Sequence, residues 1–232
     1  MSSSPKNLPE FLQNHHFSGQ GNPGSRISPS LWLSGVEYGE SEKGDPTDEE
    51  IKEYSVALQK TWTYNRNAFK LISVIEGQPV ENALAYAEQQ KIFESKTAPY
   101  FQTNLFPIEC KTLDTWSDDA QLRTGFSSKE EYVEAVRSNC FALMHEQILA
   151  LKPRLFIGVG TTHVADFTRV VLGKPLDIEA TIINVGGNNK KIYVQKGEIP
   201  FAVVPTLSGW PSGLNTDEEI TKAGEIIRSI LK

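Results

Sequence analysis

The chain has 232 residues, 39% of them hydrophobic and 22% charged, with a formal net charge of −6. That length supports one α/β domain whose core needs no disulfide or metal staple, and the acidic balance excludes a nonspecific coat for nucleic acid while leaving room for a local basic face. Cys110 and Cys140 are too few for a four-cysteine iron–sulfur or zinc centre, and His15, His16, His145 and His163 lack paired metal-ligand spacing. No cofactor and no metal are expected. The segment after Met1 has no apolar h-region and no apolar run is long enough for a bilayer, so a reduced, cytoplasmic, monomeric protein without membrane contact is expected.

Residues 1–28 are rich in Ser, Asn, Gly and Pro and read as an irregular arm, with a short helix near Leu8 to Leu12. The rest, 29–232, reads as a single domain. Ser30 to Ser34 is an apolar strand ending at Gly35, and the charged stretch Glu40 to Pro46 is a loop. Thr47-Asp48-Glu49-Glu50 has the form of a capping box. Helical spacing then runs through Tyr54, Leu58, Trp62, Phe69 and Leu71, with a break around Thr61 to Asn65. Glu81 to Phe93 is amphipathic.

Tyr100 to Pro107 is a second strand, and Ser127 caps a long helix reaching Leu151. Arg154 to Gly160 is a third strand, followed by a helix over Thr161 to Val171. Gly186-Gly187-Asn188-Asn189 between two β-like runs predicts a hairpin. Phe201 to Thr206 is the fourth core strand, and Thr216-Asp217-Glu218-Glu219 caps a final helix. Strands alternating with helices predict a three-layer α/β/α domain: a central, mostly parallel four-stranded sheet, plus a β-hairpin. In such sheets the working loops follow the carboxyl ends of the strands. They begin here at Gly35, Asn104, Gly158 and Thr206.

The first of these loops is Gly35-Val36-Glu37-Tyr38-Gly39. Its glycines permit unusual backbone angles and close approach of a ligand, and its carboxylate suits a base, a water-positioning group or a cation stabiliser. A tight turn with a solvated Glu has the same pattern. Asn104 ends the second strand, where an amide offers both donors and an acceptor to the edge of a heterocycle, or caps its own turn. The last loop, Thr206 to Asn215, carries Trp210 and Leu214 in a glycine-rich setting, which points to binding or to a lid on the core. Ser212 and its neighbouring N–H groups suit a phosphate.

Taken in order, strand–Gly-x-acid-x-Gly, strand–Asn and strand–x-Pro-Ser-x-Leu resemble the motifs of the uracil-DNA glycosylase superfamily, over roughly Leu31 to Asn215. The resemblance implies an α/β enzyme that flips a base from DNA and hydrolyses its N-glycosidic bond. It implies Glu37 as the charged catalytic group, Asn104 as the base reader, and Gly35, Val36, Tyr38 and Gly39 as pocket residues. Trp210 stands where the family usually has a His that donates to the leaving base. Its indole N–H donates but cannot gain charge. Ser212, Gly213, Leu214 and Asn215 are implied as DNA contacts, with Leu214 the apolar wedge. Tyr38, Tyr64 or Phe69 is the candidate for stacking on the base, Phe69 also suiting the core. Lys190, Lys191 and Lys196 suit either phosphate contacts or a solvated hairpin tip.

Gly39 replaces an aromatic that restricts the pocket to uracil in one branch, which implies a larger or modified pyrimidine. The bases of modified phage DNA are an example, and the role is then repair or antiviral defence. No lysine nucleophile is required, so a monofunctional enzyme is expected. Two other readings remain open: a relative that binds nucleic acid or a modified base without cleaving it, and a hydrolase of free nucleosides.

Overall fold

The computed structural model describes residues 9, 12, 16–39, 54–110 and 115–232. The strands are β1 Gly19–Gly21, β2 Leu31–Gly39, β3 Tyr100–Cys110, β4 Leu155–Val159, β5 Thr181–Val185, β6 Asn188–Gln195 and β7 Phe201–Val204. The helices are α1 Val56–Gln59, α2 Thr63–Ile75, α3 Ala83–Gln90, α4 Asp118–Thr124, α5 Lys129–Asn139, α6 Phe141–Leu151, α7 Val164–Leu172 and α8 Asp217–Ser229.

The strands form one sheet of seven in the order β1-β3-β2-β4-β7-β6-β5. The central four, β3-β2-β4-β7, are parallel. The expected four-stranded sheet is therefore the middle of a larger one. β1 adds antiparallel to β3, and the β5–β6 hairpin adds antiparallel to β7. The chain passes from β2 outward to β3 on one side, then back to β4 and on to β7 on the other. The order reverses between β2 and β4, and ligands of parallel sheets bind outside the carboxyl ends at such a point.

Both faces of the sheet are covered, which is why Leu155 to Val159 and Phe201 to Val204 are buried without interruption. On one face Leu31, Leu33, Ile157 and Val204 pack with Phe69 and Ile72 of α2 and Ile220 and Ile227 of α8. On the other, Trp32, Phe156 and Val203 pack with Tyr132 of α5, Met144 of α6 and Phe167 of α7.

Several boundaries differ from those expected. β2 does not stop at Gly35; it runs to Gly39, so the glycine-bracketed segment is the end of a strand rather than a loop. Gly35 has no left-handed backbone and is needed for close packing instead. β3 runs to Cys110, and its pairing with β2 slips between Glu37 and Gly39, opposite Phe106 and Cys110. Pro107 sits in that slip; lacking an N–H, it cannot continue a ladder. The expected single helix to Leu151 is two, α5 and α6, bent at Cys140.

Part of the N-terminal arm is ordered: β1 lies on β3, and Phe17 is buried beside Trp32. Gly186 and Gly187 both have positive φ, as a two-residue hairpin turn demands. The capping box at Thr216 and Glu219 is formed. The one expected at Thr47 lies outside the described residues, as does most of the segment Leu8 to Leu12. Among the described residues no helix is long and apolar enough to cross a membrane.

Candidate functional site

Gly35 of β2 and Asn104 of β3 are register partners in the middle of adjacent parallel strands, level with the carboxyl end of the neighbouring β4. A methyl group placed on Gly35 would lie 2.2 Å from Asn104 Oδ1 and 3.5 Å from the Tyr64 hydroxyl. Glycine thus leaves room for the amide beside the β2 backbone, and the Tyr64 hydroxyl, from the first turn of α2, reaches the same point. Burial, with a smaller push from Tyr54, raises the Tyr64 pKa and keeps the phenol neutral. Of the three aromatic candidates, Tyr64 reaches this cluster. Phe69 is fully buried in the core. Tyr38 belongs to β2 by its backbone, and its side chain, like any detail of Gly39, lies outside the described residues.

A polar network extends the cluster along α2. The Tyr54 hydroxyl donates to Gln102 Oε1 at 2.7 Å and accepts from Asn65 Nδ2 at 3.0 Å. Gln102 Nε2 donates to Asn65 Oδ1 at 3.3 Å. Gln102 precedes Asn104 by two residues on the same strand, so this network braces the strand face that carries the amide.

Glu37 turns elsewhere. Its carboxylate pairs with Lys129 Nζ at 2.8 Å through Oε2 and 3.0 Å through Oε1. The two side chains are only 6% and 11% exposed. Lys129 opens α5, which packs on the face opposite α2, so the Glu37 carboxylate is held from the α5 side. The bulge opposite Glu37 also frees the Ile108 N–H, which donates to the Tyr132 hydroxyl at 3.0 Å. Val36 is buried, and a methyl group on Gly160 at the end of β4 would meet its Cγ2 at 2.8 Å. β2 and β4 therefore approach closely at the reversal of strand order.

The Thr206 to Asn215 loop is held from several sides. Leu214 N–H donates to Thr206 O at 3.0 Å, and Gly213 N–H to Trp210 O at 2.7 Å. Asn215 Nδ2 donates to Trp210 O at 2.8 Å, and Asn67 Nδ2 to Leu207 O at 2.9 Å. Lys190 Nζ donates to Pro211 O at 2.6 Å and lies 3.8 Å from Glu219. Lys190 is buried, so it anchors the loop rather than tipping the hairpin. The Glu219 carboxyl is held below its usual range: burial opposes this, but donation by the Asn215 and Thr216 N–H groups and the nearby Lys190 outweigh it.

This anchoring splits the loop's two apolar side chains. Trp210 is 66% exposed. Leu214, expected as the wedge, is fully buried in the core with Leu207 and Ile220. No apolar tip is displayed at Leu214 in this arrangement. Ser212 is exposed beside Trp210, and Gly213 is wedged against Thr206 O, where a methyl group would come to 2.4 Å.

Sequence reasoning passed over Lys129 and Asn67. Their signal was weak: a lysine in a capping sequence and an asparagine inside a helix look like surface residues until the fold places them. It also passed over His163, whose Nδ1 lies 2.8 Å from Asp166, itself gripped by both arms of Arg137 at 2.8 Å. Burial would raise the Asp166 pKa, but the His163 and Arg137 hydrogen bonds outweigh it and hold the carboxyl below its usual range. Cavities of about 300 and 340 Å³ lie beside α8 and α7, and neither is lined by Gly35, Glu37 or Asn104. Among the described residues no group of three His, Cys, Asp or Glu is placed to hold a metal ion.

No protein-family model matches the chain, and no curated protein matches it.

Proposed function

We propose that the protein is a monofunctional DNA glycosylase acting on a modified pyrimidine. The observation that carries this reading is the Gly35–Asn104–Tyr64 cluster on two adjacent parallel strands, level with the carboxyl end of β4. It offers an amide to a base edge and a phenol ring to its face, with Glu37 two residues further along β2. A nucleotide straddling the sheet end meets Asn104 with its base and Glu37 with its sugar. Water adds to the anomeric carbon, the C–N bond breaks, and the base leaves with the bonding electrons and takes up a proton.

The Lys129 pair shapes the role of Glu37. A carboxylate bonded to an ammonium presents a dipole, whose field falls off faster with distance than that of a bare charge. Glu37 is therefore better suited to accepting a hydrogen bond from the attacking water than to stabilising a distant cation. The pocket's openness beside Gly39, a cytoplasmic setting, a monomeric state and a part in antiviral defence belong to the same reading.

The test is base release from single- and double-stranded DNA carrying uracil or bulkier modified pyrimidines, with Glu37→Gln and Asn104→Ala beside the wild type. Release that both substitutions abolish is the expected result; no release from any substrate overturns the reading. The near-complete burial of the Glu37–Lys129 pair favours a second reading, a protein that binds a modified base without cleaving it. Binding of such DNA with no abasic product would select it.

A further inference from the structure

Two tryptophans flank one surface contact. Thr63, the first residue of α2, touches the Trp210 loop: its Cγ2 lies 3.4 Å from where a Gly209 methyl group would be. Trp62 precedes Thr63 and Trp210 follows Gly209, so that contact brings the backbones of the two tryptophans close together. Trp62 is 44% exposed and Trp210 66%. Trp62 is braced on one face by Tyr54, with ring centroids 5.9 Å apart and planes 28° apart.

A cation is held against the turn that carries Trp62. The Arg66 guanidinium donates to Lys60 O at 3.0 Å, Thr61 O at 2.9 Å and Thr63 Oγ1 at 2.9 Å. These acceptors are all neutral, and among the described residues Arg66 has no carboxylate partner. By contrast its neighbours Lys60 and Lys70 are paired with Glu88 and Asp217. Tyr64, one residue beyond Thr63 in the first turn of α2, reaches the cluster at Gly35 and Asn104, so one turn of helix carries both the contact to the Trp210 loop and a member of the proposed base site.

We propose that Trp62 and Trp210 form a stacking platform for the unpaired bases flanking the target nucleotide, with Arg66 facing the intervening phosphate, so that the protein's substrate is single-stranded DNA. Stiff, exposed aromatic faces interleaved with an unneutralised cation are what single-strand binding uses, because every base has a face to stack and only an unpaired one presents it. The anchoring of the loop by Asn67, Lys190 and Asn215 keeps Trp210 outward at little further ordering cost. The burial of Leu214 fits as well: an enzyme that takes unpaired bases has no gap in a duplex to fill.

The inference rests on the glycosylase reading for its choice of DNA, and the experiment separates the two. Binding of a labelled oligothymidylate of about 12 nucleotides is followed by anisotropy, alongside its duplex with oligoadenylate. The proteins are the wild type, Trp62→Ala, Trp210→Ala, Arg66→Ala and, as a remote exposed control, Leu122→Ala. Each Trp substitution is expected to weaken single-strand binding by roughly 5- to 100-fold. Arg66→Ala is expected to lower the salt slope by about one, and Leu122→Ala to change nothing. Near-ultraviolet circular dichroism confirms that each variant is folded.

Single-strand binding unchanged in both Trp variants, or duplex bound as tightly as single strand, overturns the platform, whatever the outcome for base release. Trp-dependent single-strand binding without base release from any substrate upholds the platform and removes the glycosidic chemistry. A wild type that binds no oligonucleotide overturns both.

Discussion

Gly35→Ala probes the cluster most directly, because its backbone is ordinary strand and the substitution adds only a methyl group. That methyl would lie 2.2 Å from Asn104 Oδ1, where ordinary contact begins near 3.4 Å, so the amide must retreat by about 1 Å. Overpacking of this kind costs about 1–3 kcal/mol of stability, and misplacing a base-reading group by that distance costs about 100-fold in rate. Chemical denaturation measures the first and single-turnover base release the second. Asn104→Ala removes the clashing atoms, so Gly35→Ala should be far less destabilising in an Asn104→Ala background than alone, by about 1–2 kcal/mol of coupling. Strictly additive effects would refute the packing on which the site is built. A fully active Gly35→Ala with a normal coupling energy would leave the packing intact and remove Asn104 from the chemistry.

Three other expectations use the same measurements. Lys129→Met leaves the nearly buried Glu37 carboxylate without its ammonium and should destabilise the fold by about 3–5 kcal/mol, less when combined with Glu37→Gln; equal losses in both backgrounds would mean the pair carries no coupling. Because the folded Asp166 pKa is depressed, its contribution to stability is complete above about pH 4 and is lost as pH falls through the folded value. Urea titrations should show Asp166→Asn less stable than wild type at pH 7 and the gap closing toward pH 3. Leu214→Ala should cost about 2–5 kcal/mol, as for a core leucine, whereas a displayed wedge would leave the melting curve unmoved.

The alternation of strands and helices, the hairpin at Gly186-Gly187 and the cap at Thr216 are local matters, written in periodicity and turn chemistry, and they are legible directly. Gly35 and Asn104 are legible as residues of core strands facing a working loop, but their pairing depends on the strand order and is set by the fold. The limits of β2 and β3 were harder to read. A Gly-x-x-x-Gly segment looks like a loop unless a parallel neighbour supplies its hydrogen bonds, and β3 does so as far as Cys110. The larger sheet was hidden for a similar reason: Gly19–Gly21 has no side-chain pattern of its own, and its pairing with β3 makes it a strand.

Side-chain direction at the site depends on features still less local. Strict alternation from Leu33 puts Glu37 in phase with Gly35 and Asn104, and its pairing with Phe106 is still in register, but Lys129, ninety-two residues away in sequence, draws the carboxylate toward α5. The same holds for Trp210 and Leu214. Both are apolar residues of one polar, glycine-rich loop, and nothing in the local pattern ranks one above the other for the core. The choice is made by Asn67 on α2 and Lys190 on the hairpin, whose donors find backbone carbonyls on either side of the tryptophan. With the chain held at Leu207 and Pro211, Leu214 folds down onto Ile220 and Trp210 faces outward. The apolar group this loop offers a ligand is therefore a broad flat ring rather than a narrow aliphatic tip, and a ring of that shape favours stacking on a base over filling its vacated place.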